Sequence, residues 1–133
     1  MEKFHQDILT VVRSIPRGKV VSYGQVATYV GMPKATREVG WAMQSLGNTP
    51  DFPWWRVLNN VGQISISGNP DADAQMQQKL LEDEDIVCVA PLTLDIETYR
   101  YRPEKAMLAS YGLDPASVED VYEKYALHQS TLL

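Results

Sequence analysis

Phe4, Ile8, Val11, Val12 and Ile15 recur at helical spacing, so residues 3–14 form an amphipathic helix that must stop before Pro16. Pro16-Arg17-Gly18-Lys19 makes a turn and Val20-Val21 a short extended stretch. Ser22 and Gln25 have the spacing of a capping box, which opens a brief helix running to about Val30 and ended by Gly31. Val39, Ala42, Met43 and Leu46 share one face and predict a third helix over 35–46, with that face packed inward. At about 100° per residue, Arg37, Trp41, Gln44 and Ser45 collect on the opposite side. Two helices joined at Gly31-Met32-Pro33, the second with an arginine near its start, fit a helix-turn-helix unit; they also fit a plain helical pair with a solvated Arg37.

Further on, Val57-Leu58-Asn59 and Gln63-Ile64-Ser65 flank Asn60-Val61-Gly62, the pattern of a β-hairpin with glycine at its turn, which would serve as a wing. Residues 67–71 are a loop. Residues 72–85 are expected to be a helix with Met76, Leu80 and Leu81 inward, and the run Glu82-Asp83-Glu84-Asp85 a solvated face. Asp114-Pro115 marks the start of a terminal helix whose stripe is Val118, Val121, Tyr122 and Tyr125. That helix either docks on the domain or serves a partner, and docking is favoured because isolated helices of this length are marginal in water. The fold class expected is mainly α with a small β-hairpin wing, divided into a winged-helix domain at 1–103 and a helical extension at 104–133.

A chain of 133 residues with 44% hydrophobic content suits one compact core. Its apolar runs are a few residues long, against about 20 needed to cross a bilayer, so no membrane partner is expected. The polar N-terminus lacks the apolar core of a secretory signal, and the expected location is intracellular, the nucleus in a eukaryote or the cytoplasm in a bacterium. One cysteine and two histidines supply neither a disulfide nor a metal set, so neither metal nor cofactor is expected. Cys88, inside Ile86-Val87-Cys88-Val89-Ala90, is expected to be a buried structural thiol.

The net charge of −5 argues at first against nucleic acid. It is unevenly distributed: residues 1–67 hold seven basic and four acidic side chains, a surplus of three, which leaves −8 on the remainder. A locally basic N-terminal half can still face DNA.

Pro53-Trp54-Trp55-Arg56-Val57 resembles the Pro-Cys-His-Arg-Val active-site motif of the O6-alkylguanine-DNA alkyltransferases, with Trp54 where the reactive cysteine stands, as in the family's alkyltransferase-like branch. Ile15-Pro16-Arg17-Gly18-Lys19-Val20, Ser22-Tyr23-Gly24-Gln25-Val26-Ala27, Gly31-Met32-Pro33 and Ala35-Thr36-Arg37-Glu38-Val39-Gly40 resemble the same family's C-terminal domain in the same order, over roughly residues 4–100. The resemblance implies a winged helix-turn-helix that enters the minor groove and flips its target nucleotide. Arg37 matches the finger that fills the vacancy left by the extruded base, offsetting an unstacking cost of a few kcal/mol. Tyr23 matches the tyrosine that helps rotate the nucleotide against its 3′ phosphate. Ala35, Thr36 and Trp41 complete the expected DNA face.

Tyr23, Trp54, Trp55 and Pro50 are the expected lesion pocket, where stacking a base on an aromatic ring is worth about 1–3 kcal/mol. In the enzymes the histidine after the cysteine belongs to a relay that deprotonates the thiol, and Glu84 aligns with the relay's acidic member. Here Trp55 replaces that histidine, so base and nucleophile are both gone, and a neutral indole cannot accept an alkyl group. Arg56 is expected to tie the motif to neighbouring backbone rather than touch DNA. Residues 66–74 depart from the family's pocket-lid loop, and Ser67 offers no positive charge to a flipped base. The extension carries two basic and five acidic residues from Glu104 onward, a charge of −3.

The implied function is a monomeric, noncatalytic sensor that binds O6-alkylguanine in double-stranded DNA and marks it for nucleotide excision repair proteins. Two other readings are a winged-helix regulator with a vestigial pocket and an alkyltransferase acting through Cys88, which lacks a paired histidine.

Overall fold

The computed structural model describes residues 2–64 and 74–126. Ser65, Ser67 and the loop expected at 67–71 lie outside the described residues. Helix α1 (Glu2–Arg13) buries Ile8, Leu9, Val11 and Val12. Strand β1 (Val21–Ser22) passes directly into α2 (Tyr23–Tyr29) through the capping box: Ser22 Oγ accepts the Gln25 N–H at 3.0 Å and Gln25 Oε1 accepts the Ser22 N–H at 2.9 Å. The helix ends where Gly31 takes φ +84°, letting the Met32 N–H reach the Ala27 carbonyl at 2.9 Å and the Gly31 N–H reach Thr28 at 3.0 Å. Helix α3 (Thr36–Leu46) then packs Val39, Ala42 and Met43 inward beside α2.

A 3-10 turn at Trp54–Arg56 leads into β2 (Val57–Leu58). Here the expected hairpin fails. β2 pairs in parallel with β1, Val21 opposite Val57 and Ser22 opposite Leu58, and Val57 and Leu58 are each 1% exposed, so this strand lies in the core. The chain does turn at 59–62, where Asn59 Oδ1 accepts the N–H groups of Val61 and Gln63, but Gln63 then bridges Thr93. The wing is built instead from β3 (Cys88–Ala90) and β4 (Thr93–Leu94), antiparallel, with Gln63 on the far side of β4.

Between β2 and β3, α4 (Ala74–Glu82) buries Gln77 and Leu81, whereas Met76, expected inward, is 46% exposed. The inward stripe is offset by one position because Gln77 serves as a polar core residue. α4 closes with Asp85 at φ +67°, the Asp85 N–H on Glu82 O and the Ile86 N–H on Leu81 O. This left-handed turn folds the acidic run back, burying Glu84 in place of the solvated position expected for it.

α5 (Ile96–Tyr99), α6 (Lys105–Ser110) and α7 (Pro115–Tyr125) complete the chain, the last capped by Asp114, which accepts the Ser117 N–H at 2.8 Å. Two hydrophobic clusters result. One joins α1, α2 and α3 with Phe52, Val57, Leu108 and Val118; the other joins Val20, Leu58, Ile64, Leu81, Ile86, Leu94 and Ile96. α6 and α7 dock on the first: Tyr111 stacks on Tyr29 at 5.7 Å, Tyr125 meets the same ring edge-on at 5.8 Å, and Arg102 Nε donates to the Tyr125 carbonyl at 2.7 Å.

Candidate nucleic-acid interface

Arg37 and Trp41 lie one turn apart on the exposed side of α3, Trp41 being 60% exposed, so both are open to a ligand. Thr36 is exposed beside them. Ala35, expected on the DNA face, is 5% exposed: its methyl is drawn inward as the chain enters α3, and its carbonyl accepts the Val39 N–H at 2.9 Å. As the residue preceding the helix it supplies no side-chain cap, so the positive end of α3 keeps first-turn N–H groups for an external acceptor.

Tyr23, the first residue of α2, is half-buried against the first cluster, as is Trp54, and burial raises the Tyr23 phenol pKa, keeping its proton available for donation. Trp55 packs on the second cluster. The motif therefore straddles the seam between the two cores, its indoles 6.0 Å apart and nearly perpendicular at 86°.

What fixes Trp55 is Glu84. The indole Nε1–H donates to Glu84 Oε2 at 2.7 Å; Arg56 donates to the same carboxylate through Nε at 3.0 Å and Nη2 at 2.8 Å, and the Gly18 N–H donates to Oε1 at 2.8 Å. Burial alone would raise the Glu84 pKa, but the donations from Arg56, Gly18 and Trp55 outweigh it and hold the group below its ordinary value. Arg56 also donates to the Ile15 carbonyl at 2.8 Å, as expected of a residue tying the motif to backbone. Gln77 Nε2 donates to the carbonyls of Trp55 and Val57, both at 3.0 Å. Sequence periodicity missed Gln77 because glutamine scores as surface; the signal available was its spacing of four from Leu81.

Trp54 and Trp55 line a cleft of about 570 Å³ with Arg13, Asn48, Phe52 and Arg56. Tyr23 and Pro50 are not part of its lining. Pro50 is exposed, and its carbonyl accepts from Arg13 Nη2 at 2.9 Å, a bond that ties the loop before the motif to the end of α1.

Cys88, expected to be buried, is only partly so, since it sits on the outer strand of the wing, and burial raises its thiol pKa. Among the described residues no group of three His, Cys, Asp or Glu side chains is placed to hold a metal, and no helix is long and apolar enough to cross a membrane.

The helix pair, the exposed arginine on its second helix and the small β wing define a winged helix-turn-helix DNA-binding domain. Residues 3–86 match the model of the 6-O-methylguanine DNA methyltransferase DNA-binding domain, and the chain belongs to that family. It is 36% identical over 107 residues to alkyltransferase-like protein 1 of Schizosaccharomyces pombe, covering 77% of this chain and 98% of that protein. It is 35% identical to the DNA base-flipping protein of Escherichia coli, covering 75% of each. The crystal structure of S. pombe Atl1 in complex with damaged DNA containing O6-carboxymethylguanine superposes with a TM-score of 0.69 at 37% identity, covering 77% of this chain and 98% of that one.

Proposed function

We propose that this chain binds O6-alkylguanine in duplex DNA from the minor groove, flips the damaged nucleotide and bends the helix without dealkylating it, so that the complex marks the lesion for nucleotide excision repair. The observation that carries this reading is the Trp54-Trp55-Glu84 arrangement. An indole stands at the position of the reactive thiol, and the ring at the next position carries a fixed N–H donor into the carboxylate, so it has no lone pair with which to take a proton.

Arg37 fills the emptied stack, Tyr23 works on the phosphate, and Trp54 and Trp55 supply a rigid aromatic wall. The names of the relatives, an alkyltransferase-like protein and a DNA base-flipping protein, support the same reading. The raised pKa of the Cys88 thiol leaves it less thiolate at neutral pH, which disfavours transfer through it.

The test is an equilibrium titration at fixed salt of one duplex with and without a single O6-methylguanine, followed by assay of the recovered DNA for the methyl group. The expected result is preferential binding of the damaged duplex with the methyl group intact. Equal binding to both duplexes would show a general DNA-binding protein, and loss of the methyl group would show catalysis.

A further inference from the structure

A second cleft, of about 530 Å³, lies between the start of α3 and the end of α7, lined among others by Ser22, Gly24, Thr36, Asn60, Arg100 and Lys124. Its position relative to the DNA face follows from the first turns of two helices. Thr36 opens α3 immediately before Arg37, Gly24 follows Tyr23 in α2, and a Cβ on Gly24 would stand 4.0 Å from Thr36 Oγ1. The cleft therefore adjoins the surface that carries both Tyr23 and Arg37.

Its charge is opposite to that of the molecule. Arg100 is 5% exposed, with its guanidinium bonded to Glu97 at 2.8 Å and to Gln25 Oε1 at 2.6 Å, so it contributes a fixed positive field rather than a contact. The Glu97 carboxylate is shared with Arg102 at 2.7 Å. Among the lining residues two cations, Arg100 and Lys124, stand against one carboxylate, Glu97, a local surplus of one. Lys124 is exposed with its ammonium 5.4 Å from the centre of the Tyr125 ring, and none of the salt bridges among the described residues includes it. Lys105, the other lysine of the extension, is already paired with Glu119 at 2.9 Å.

Lys124 faces a cleft whose other walls include the hydroxyls of Ser22, Thr28 and Thr36, the Asn60 amide and a Glu97 carboxylate already held by Arg100 and Arg102. An ammonium with no carboxylate partner among such groups suits an oxygen-rich monoanion, and beside a DNA-reading helix that monoanion is a backbone phosphodiester. We propose that this cleft is an auxiliary phosphodiester site, with Lys124 as its contacting cation, by which the C-terminal extension joins the DNA interface. The site rests on the reading of the chain as a DNA-binding protein, and its two cations, Arg100 and Lys124, lie outside residues 3–86, which the family model matches. In a chain of net charge −5, it places positive charge where the duplex would run.

The test uses the full chain with Lys124→Gln, Lys124→Glu and, as control, Lys105→Gln, each confirmed as folded by circular dichroism and titrated against undamaged and O6-methylguanine duplexes between 50 and 200 mM salt. Losing one phosphate contact should lower the slope of log K against log salt by about one, equivalent to roughly threefold in affinity across that range. The loss should be similar on both duplexes, with lesion preference retained, and larger for Lys124→Glu. Unchanged slopes in both Lys124 variants, or an equal change in Lys105→Gln, overturn the site. If the wild type shows no lesion preference, the sensor reading fails while the undamaged duplex still decides the Lys124 question; absence of binding to either duplex overturns both.

Discussion

At position 55 a ring nitrogen donates to a buried carboxylate, and because the ring is an indole the donation does not depend on pH. Glu84 is the group that titrates. Its folded pKa lies below the unfolded value, so the stability it contributes is fully present above the ordinary carboxylate range and is lost as pH falls through the folded pKa. Glu84→Gln should therefore lower stability at neutral pH, by up to the roughly 3–5 kcal/mol of a broken buried ion pair. The gap from wild type should close on acidification, as read by urea unfolding over the range in which both remain folded. A gap that does not vary with pH would remove the ion-pair account. Arg37 belongs to the same scale: Arg37→Ala should weaken binding to the damaged duplex by about 1–3 kcal/mol in the titration, and unchanged affinity would sink the finger role. The exposed placing of Arg37 and Trp41 was legible because helical spacing alone determines it. The burial of Glu84 was not, because in a run of four acids nothing local tells which one the chain reverses inward.

Elements whose boundaries depend on local bonding were legible: the Ser22 and Gln25 box, Gly31 at the end of α2 and Asp114-Pro115 at the start of α7 all behave as their types dictate. Strand pairing was not. β1 and β2 have two residues each, too few to show a period, and their partner choice is settled by burial across α2 and α3 rather than by the turn at 59–62. Gly62 illustrates the difference. It was read as a hairpin turn, yet it sits at φ +81° with its carbonyl accepting the Leu94 N–H at 2.9 Å, and a Cβ there would collide with the Leu94 carbonyl oxygen. Gly62→Ala should accordingly cost at least about 1–3 kcal/mol, since backbone strain adds to the clash, and should loosen the wing. Urea unfolding with hydrogen exchange at Leu94 would measure both; a neutral substitution would mean that the strands at 62–64 and 92–94 are not so close.

Across the whole molecule, the division drawn in the sequence at residue 103 separates chain segments that share one core. Leu108 of α6 is 1% exposed and Val118 of α7 is 7% exposed, both in the cluster formed by α1, α2 and α3, and Tyr29 of α2 is covered by Tyr111 and Tyr125. Docking of the terminal helix was legible from its stripe of Val118, Val121, Tyr122 and Tyr125, while the charge of −3 from Glu104 onward carried no sign of the shared core. If the extension shares the core, a cavity made in α6 must be felt by the motif. Leu108→Ala should destabilise the chain by about 2–5 kcal/mol. The tryptophans all lie within residues 41–55, so their fluorescence reports the DNA-binding part, while far-ultraviolet circular dichroism reports all the helices. Both signals should shift to lower denaturant together in one cooperative transition. If Leu108→Ala lowered the dichroism midpoint while the tryptophan transition stayed in place, the extension would be a separately melting unit, and Lys124 would sit on a mobile arm rather than on a fixed wall of the second cleft.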